Sequence, residues 1–211
     1  MISFDEAFAS MPLVAILRGL RPGQALEVGR ILFEAGFRII EVPLNSPEPF
    51  DSIACLAEAY GEWAIVGAGT VLDPAAVEKT QDAGGRLVVM PHGDPSVIRA
   101  AKARGLVCCP GVATPTEAFA ALEAGADALK LFPAETIPPA ALGALRAVLP
   151  AGIRLLPVGG IVPEPEHAML HDAGVAKVFG PGTSREEIVE SVSHLGAQVQ
   201  STKLDLEGVV S

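Results

Sequence analysis

The sequence has little of what would indicate a membrane span, a disulfide framework or a metal site. No apolar run reaches the roughly 18 residues of a transmembrane helix, and the N-terminus lacks the basic-then-apolar order of a signal peptide. We therefore expect a cytoplasmic protein without a membrane partner. The three cysteines (Cys55, Cys108 and Cys109) and four histidines form no disulfide or zinc pattern. We therefore expect no metal site.

Basic charge is also scarce. The 211 residues include 15 lysines and arginines against 25 aspartates and glutamates, which gives a formal net charge of −10. This balance argues against nucleic acid as a partner, because non-specific binding needs a basic surface. It still allows a small anionic substrate, since a local cluster of donors can bind an anion. We expect one domain over residues 1–200 and a weakly patterned tail, typical of disorder, over 201–211.

Short apolar runs alternate with stretches rich in Ala, Leu and Glu. The runs are almost continuously apolar, as in strands buried on both faces of a parallel sheet. The stretches between them begin at signals such as Asp73-Pro74 and end in glycines such as Gly84, which is typical of helices. This alternation predicts a single (β/α)8 TIM barrel with a leading helix around residues 3–10. The predicted strands are 13–17, 38–42, 63–67, 86–90, 106–109, 128–132, 154–158 and 177–179, and the predicted helices include 22–36, 73–84, 94–105 and 114–125.

Three ionisable residues lie in or directly after apolar strands: Arg18, Glu41 and Lys130. In a (β/α)8 barrel the chemistry lies at the C-terminal ends of the strands. Burial favours the neutral amine of Lys130, which can attack a ketone and form an iminium that lets a neighbouring C–C bond break. Glu41 can move the required protons, and Arg18 suits a carboxylate or a phosphate. Taken singly, they also fit an edge lysine, a structural ion pair and a surface arginine, but their shared position favours catalysis.

Glycine-rich turns follow the seventh and eighth predicted strands. Backbone N–H groups in such turns, together with the N-terminus of the next helix, can bind a phosphate. Tight turning alone is the alternative. The residues that we expect at the phosphate are Gly159, Gly160, Gly182, Thr183 and Ser184. Thr70, in the GAGTV segment (67–71) after the third predicted strand, and Pro91, at the end of the fourth, are expected to line the same mouth and contact substrate.

Residues 11 to about 162 resemble the KDPG/KDPGal aldolases, class I enzymes that act on 2-keto-3-deoxy-6-phospho sugar acids. The matching segments are AILRG (15–19), EVPLNSP (41–47), IVGAGTVL (65–72), PG (110–111), AGADALKLFPAE (124–135) and VGGI (158–161). The resemblance implies Lys130 as the Schiff-base lysine, Glu41 as the general acid/base, and Arg18, Thr70 and Phe132 at the pyruvate part of the substrate. It also implies a homotrimer. No cofactor is expected, because the protonated iminium is the electron sink that a metal provides in other aldolases.

Within the family the chain resembles the galactonate branch. Glu41 is followed by Val-Pro-Leu-Asn-Ser, where the gluconate branch typically has Val-Thr-Leu-Arg-Thr, and Val158 stands where that branch usually has threonine. A hydroxyl at position 158 could recognise the C4 substituent, and valine removes it. The resemblance thus implies cleavage of 2-dehydro-3-deoxy-6-phosphogalactonate to pyruvate and D-glyceraldehyde 3-phosphate.

Three other functions stay open at this point. The first is the same cleavage of the 6-phosphogluconate epimer. The second is a phosphosugar epimerase or isomerase that uses Glu41 as a base and Lys130 as an electrostatic group. The third is a non-catalytic barrel that binds a phosphorylated ligand. This last alternative comes from residues 177–184, which depart from the compact Gly-Ser that the family usually has after its last strand.

Overall fold

The computed structural model describes residues 1–158 and the short strand Val178–Phe179. The strands are β1 (Ala15–Leu17), β2 (Ile39–Pro43), β3 (Ile65–Gly69), β4 (Leu87–Val89), β5 (Val107–Cys109), β6 (Gly111–Val112), β7 (Ala128–Leu131), β8 (Arg154–Pro157) and β9 (Val178–Phe179). The α-helices are α1 (Phe4–Ser10), α2 (Pro22–Glu34), α3 (Pro49–Tyr60), α4 (Pro74–Asp82), α5 (Pro95–Ala103), α6 (Pro115–Glu123) and α7 (Pro139–Val148), and a 3-10 helix spans Ala134–Thr136. The predicted alternation of strands and helices is confirmed.

The strands form two parallel sheets that meet at β5 and β6. Their order is β5-β4-β3-β2-β1-β9 in one sheet and β6-β7-β8 in the other, and each of these pairs is parallel. β5 and β6 are two halves of one strand, interrupted at Pro110, which has no backbone N–H for the ladder. The Pro110 carbonyl accepts from the Lys130 N–H (2.9 Å), and the Cys108 carbonyl accepts from the Asp127 N–H (3.0 Å). Because β7 lies beside both halves, the two sheets join into the strand order of the predicted (β/α)8 barrel.

Alternation along the strands separates an inner core from an outer one, since successive side chains of a strand lie on opposite faces. The inner core includes Val14, Ile16, Ile39, Ile65, Leu87, Val89, Ala128 and Leu156. The outer core, packed under the helices, includes Leu17, Ile40, Val42, Val66, Val88, Leu129 and Leu131. Glu41 stands between outer-core Ile40 and Val42, and Lys130 between outer-core Leu129 and Leu131. Both charged side chains therefore extend into the barrel.

Helix boundaries follow the predicted signals. The Asp73 carboxylate accepts from the Ala76 N–H (2.9 Å) and caps α4, which begins at Pro74. The chain leaves α4 at Gly84, whose φ of +79° is readily adopted only by glycine. None of the helices in the described part of the chain is long and apolar enough to cross a membrane. The predicted tail over 201–211 lies outside the described residues.

Helix α1 closes the base of the barrel, as predicted. Phe4 is buried in the inner core. The Arg154 guanidinium, at the start of β8, lies 5.5 Å from the Phe4 ring centre and 5.0 Å from that of Phe8, and it pairs with Asp5 at 2.8 Å. These contacts attach the amphipathic helix to the base, where it covers apolar side chains.

The predicted bounds of the third strand are wrong. Trp63 is 54% exposed and precedes the strand, which begins at Ile65 and continues to Gly69. Gly67-Ala68-Gly69 therefore belong to β3 and do not follow it, and only Thr70 stands at its end. Gly67 suits the strand because a Cβ there would lie 2.0 Å from the Leu87 carbonyl oxygen of the adjacent β4.

Candidate active site

Lys130 lies on β7 inside the barrel and is only 7% exposed. Its backbone pairs with Gly111 on one side and Leu156 on the other. The Nζ atom lies 5.0 Å from the ring centre of Phe132, which belongs to the same predicted site. Burial lowers the pKa of the Lys130 ammonium, whereas the nearby Glu41 carboxylate raises it. The net effect lowers the pKa, which increases the fraction of the neutral amine, the nucleophilic form.

Glu41 lies on β2 in the same cavity and is 1% exposed. Burial raises the pKa of its carboxyl from 4.5 to about 7, against the opposing effect of the positive charges of Lys130 and Arg18. Its Oε2 atom has no hydrogen-bond partner among the described residues. A carboxyl group whose pKa is near 7 and whose oxygen has no partner can both accept and return a proton near neutral pH.

Lys130 and Glu41 influence each other's charge without forming a direct ion pair. None of the N···O contacts within 4.0 Å in the described part of the chain joins Glu41 to Lys130 or to Arg18. The other walls of their cavity are mainly apolar and include Phe4, Ile16, Ile39, Leu87, Val89, Leu156 and Val158. The structural ion pair with Lys130 or Arg18 that the sequence left open for Glu41 is therefore not present, and none of the described residues forms an ion pair with either group.

Arg18 stands directly after β1 at the mouth of the barrel, and it is exposed. Its Nη1 atom donates to Oδ1 of Asn45, in the loop after β2, at 2.9 Å. The next backbone N–H, that of Gly19, donates to the Ser46 hydroxyl at 2.9 Å. Two neighbouring loops thus hold the arginine at the opening, where it is close enough to favour ionisation of Glu41 and deprotonation of Lys130.

The other predicted substrate-binding residues lie at the strand ends. Thr70 follows β3 with a φ of +55°, a left-handed conformation that is uncommon for a non-glycine residue and often found at functional sites. Pro91 follows β4, and its carbonyl lies against Gly111, where a Cβ would come within 2.5 Å of it. Val158 lines the cavity with Lys130 and Glu41, and its backbone is bound to Leu131 and Ala134. The Val158 N–H is therefore already bonded, and the apolar side chain offers a substrate no hydrogen bond.

The predicted phosphate residues, Gly159, Gly160, Gly182, Thr183 and Ser184, lie outside the described residues. Conversely, the sequence did not single out Cys109, which lines the cavity beside Lys130, or Asn45 as the partner of Arg18. Alternation along the fifth strand could have identified Cys109, because Cys108 faces the outer core. Nothing local could have identified the Asn45 contact, since it joins two loops that are 27 residues apart.

The raised pKa of Glu41 predicts how stability depends on pH. The folded state holds the Glu41 proton more tightly than the unfolded state does. The contribution of this proton to the free energy of unfolding is therefore fully present below pH 4.5 and is lost as the pH rises to about 7. The shift corresponds to about 3 kcal/mol. Glutamine does not titrate, so only wild type loses this stability as the pH rises. The free energy of unfolding of Glu41→Gln minus that of wild type should therefore increase by roughly the same amount between pH 4.5 and pH 7.5. Urea unfolding at several pH values measures it.

Glu58→Gln, on the exposed face of α3, is the matched control for this measurement. A parallel pH dependence in wild type and Glu41→Gln would contradict the raised pKa.

Comparison with known proteins agrees with this geometry. The family model described as "KDPG and KHG aldolase" matches residues 4–194. A protein of Rhizobium meliloti (strain 1021) named "Probable 2-dehydro-3-deoxy-6-phosphogalactonate aldolase" is 49% identical over 173 residues, which cover 82% of this chain and 81% of that protein. The "2-dehydro-3-deoxy-6-phosphogalactonate aldolase" of Escherichia coli (strain K12) is 45% identical over 188 residues, or 89% of this chain and 91% of its own length.

A solved structure gives the same result in three dimensions. The structure described as "Native KDPGal structure" superposes with a TM-score of 0.84 at 41% identity. The match covers 92% of this chain and 97% of that chain. The residues matched by the family model, 4–194, include the strands that carry Glu41 and Lys130.

Proposed function

Because the chain belongs to the KDPG and KHG aldolase family, we propose that it cleaves 2-dehydro-3-deoxy-6-phosphogalactonate to pyruvate and D-glyceraldehyde 3-phosphate through a Schiff base on Lys130. The family predicted from the sequence motifs is confirmed, and with it a class I aldolase, a carbon–carbon lyase. The observation that carries the proposed mechanism is the cavity shared by Lys130 and Glu41, in which both groups are buried and neither forms an ion pair with another described residue.

In the first half of the reaction, Lys130 is the nucleophile. Its neutral Nζ attacks the C2 ketone, and the carbinolamine takes up a proton from solvent and loses water to give an iminium. The Glu41 carboxylate then takes the proton from the C4 hydroxyl, directly or through a water molecule. As that hydroxyl becomes an aldehyde, the C3–C4 bond breaks and its electron pair moves to the iminium, which leaves an enamine on Lys130. Glyceraldehyde 3-phosphate is released.

In the second half, Glu41 returns its proton to C3 of the enamine, which restores an iminium, now of pyruvate. Water adds to this iminium, pyruvate leaves, one proton returns to solvent, and the neutral amine of Lys130 is regenerated. The same carboxyl therefore acts first as base and then as acid. A pKa of about 7 suits both roles near neutral pH, because neither protonation state is strongly disfavoured.

Arg18, at the mouth of the barrel, is suited to bind the carboxylate of the substrate. A guanidinium offers paired donors to a carboxylate, and its bond to Asn45 fixes one of them. We assign the substrate carboxylate to Arg18 and Thr70, with Phe132 and Pro91 beside the pyruvate carbons. We assign the phosphate to the following backbone groups and side chains: Gly159, Gly160, Gly182, Thr183 and Ser184. A homotrimer and a cytoplasmic location stay predictions of the sequence.

A coupled pyruvate assay on the two C4 epimers tests the substrate. We expect kcat/KM to be at least about tenfold higher for the galactonate epimer, because Val158 offers no hydroxyl to the C4 substituent of the gluconate epimer. The matched variant Val158→Thr has nearly the same shape and should shift the ratio toward the gluconate epimer. A wild-type preference for the gluconate epimer would contradict the proposed substrate but not the aldolase chemistry.

A further inference from the structure

The carboxylate of Glu41 lies where a side chain at position 69 would be. A Cβ built on Gly69 would be 1.2 Å from Oε2 of Glu41 and 2.4 Å from its carboxyl carbon. Atoms cannot approach this closely without a bond, so any residue other than glycine at position 69 excludes the carboxylate from its present place. The contact is specific to this glycine, because Gly67 on the same strand meets backbone atoms of Leu87 instead.

The strand register shows what this contact does to Glu41. Its backbone pairs with Gly67, whereas Gly69 pairs with Pro43, two residues farther along β2. Two residues of a strand span about 6.6 Å. The carboxylate therefore reaches beyond its own level of the barrel, toward the strand ends where Arg18 and Thr70 stand. Because Gly69 has no side chain, there is space for the Glu41 carboxylate to extend past the apolar inner-core side chains at the level of its own backbone.

The backbone of Gly69 is fixed, but the Glu41 carboxylate is not. The Gly69 carbonyl accepts from the Leu44 N–H at 2.8 Å, and the Val71 N–H that follows β3 donates to the Val89 carbonyl at 3.2 Å. By contrast, Oε2 of Glu41 has no hydrogen-bond partner among the described residues. If a methyl group were added at position 69, the end of the glutamate side chain would move and the strand would stay.

We propose that Gly69 is a positioning residue for proton transfer, because its missing side chain sets how far the Glu41 carboxylate reaches toward the mouth of the barrel. This inference rests on the proposed function, since it assigns Gly69 to the proton-transfer step of the aldolase. It differs from a purely structural role, which would affect stability without singling out Glu41.

Gly69→Ala should lower kcat by about 100-fold, because small displacements of a catalytic group cost about that much. We expect KM to change far less, since the carboxylate and phosphate of the substrate are held elsewhere. The matched control is Gly143→Ala, at an exposed position in α7 where a Cβ meets nothing within 4 Å; its kcat should equal that of wild type. Gly67→Ala, which meets the backbone of β4, should mainly lower the unfolding midpoint.

A double-mutant cycle separates a Glu41-dependent effect from a general one. In a Glu41→Asp background the carboxylate is shorter by one methylene and withdraws from position 69. Adding Gly69→Ala to this background should therefore lower kcat by less than about tenfold, because coupled residues are non-additive. Equal losses in the two backgrounds would overturn the proposal, as would a folded Gly69→Ala variant with wild-type kcat.

The outcomes for the two proposals are distinguishable. If wild type releases pyruvate and only the Gly69→Ala result fails, the positioning role is wrong and the proposed function stands. If wild type releases no pyruvate from either epimer, the proposed function fails. The contact can still be judged from a crystal structure of Gly69→Ala, where a carboxylate still lying against residue 69 would overturn the proposal and a displaced one would support it.

Discussion

Replacing Lys130 with methionine should lower kcat by roughly 10⁴-fold or more, because the variant has no nucleophile with which to form the iminium. Methionine is unbranched like lysine and only one atom shorter, and it suits the apolar walls of the cavity, so the variant should fold. We expect its unfolding midpoint to equal or exceed that of wild type, since a buried amine has been removed. Borohydride reduction with pyruvate should add mass to wild type at Lys130 and leave the variant unchanged.

Lys130→Arg is the matched control for charge. It keeps a cation on β7 but cannot form an imine. Under the proposed mechanism it should be as inactive as the methionine variant. Under the epimerase or isomerase alternative, in which Lys130 is only an electrostatic group, it should retain much of the activity. Intact-mass spectra of wild type without a pyruvate adduct would contradict the Schiff base directly.

Replacing Glu41 with glutamine should lower kcat by roughly 10² to 10⁴-fold, the range expected for loss of a general acid/base. The wild-type pH profile should carry the signature of this group. Since the carboxylate must be ionised to accept the C4 proton, kcat/KM should fall about tenfold per pH unit below the pKa of about 7. The residual activity of the variant should lack that acidic limb.

Steady-state kinetics between pH 5 and pH 9 measure this effect. Glu58→Gln, which changes an exposed carboxyl on α3, should keep the wild-type profile. A glutamine variant within about threefold of wild-type kcat would remove Glu41 from the role of acid/base catalyst, because the expected loss is far larger. An acidic limb that survives in the variant would assign the limb to another group.

The sequence predicted the elements of the fold well because each one carries its own local signal. Apolar runs mark the strands, and Asp73, Pro74 and Gly84 mark the ends of α4 through capping and backbone conformation. Errors arose where local signals compete. Trp63 has a high strand propensity but precedes β3 and is exposed, and the predicted strand ends at Gly67 although β3 continues through Ala68 to Gly69.

The catalytic pair was also predictable, because a charge between apolar neighbours on a strand is a strong signal in a barrel. The sequence could not show the distances that make the pair work. Gly69 accommodates the Glu41 carboxylate across two strands, and Asn45 binds Arg18 across two loops. Both contacts depend on strand register, which is set by the packing of the whole barrel and leaves no local mark in the chain.

Helix α1, which closes the base of the barrel, also determines the route by which substrate enters and products leave. Phe4, on this helix, lines the cavity that contains Lys130 and Glu41, so in the described part of the chain α1 blocks that end. With the base closed, both products leave through the mouth, where Arg18 stands. In the proposed mechanism the pyruvate carbons stay attached to Lys130 when the C3–C4 bond breaks, so the aldehyde departs first. In the reverse, synthetic direction, pyruvate must bind first, because the aldehyde reacts only with the enamine that pyruvate forms on Lys130.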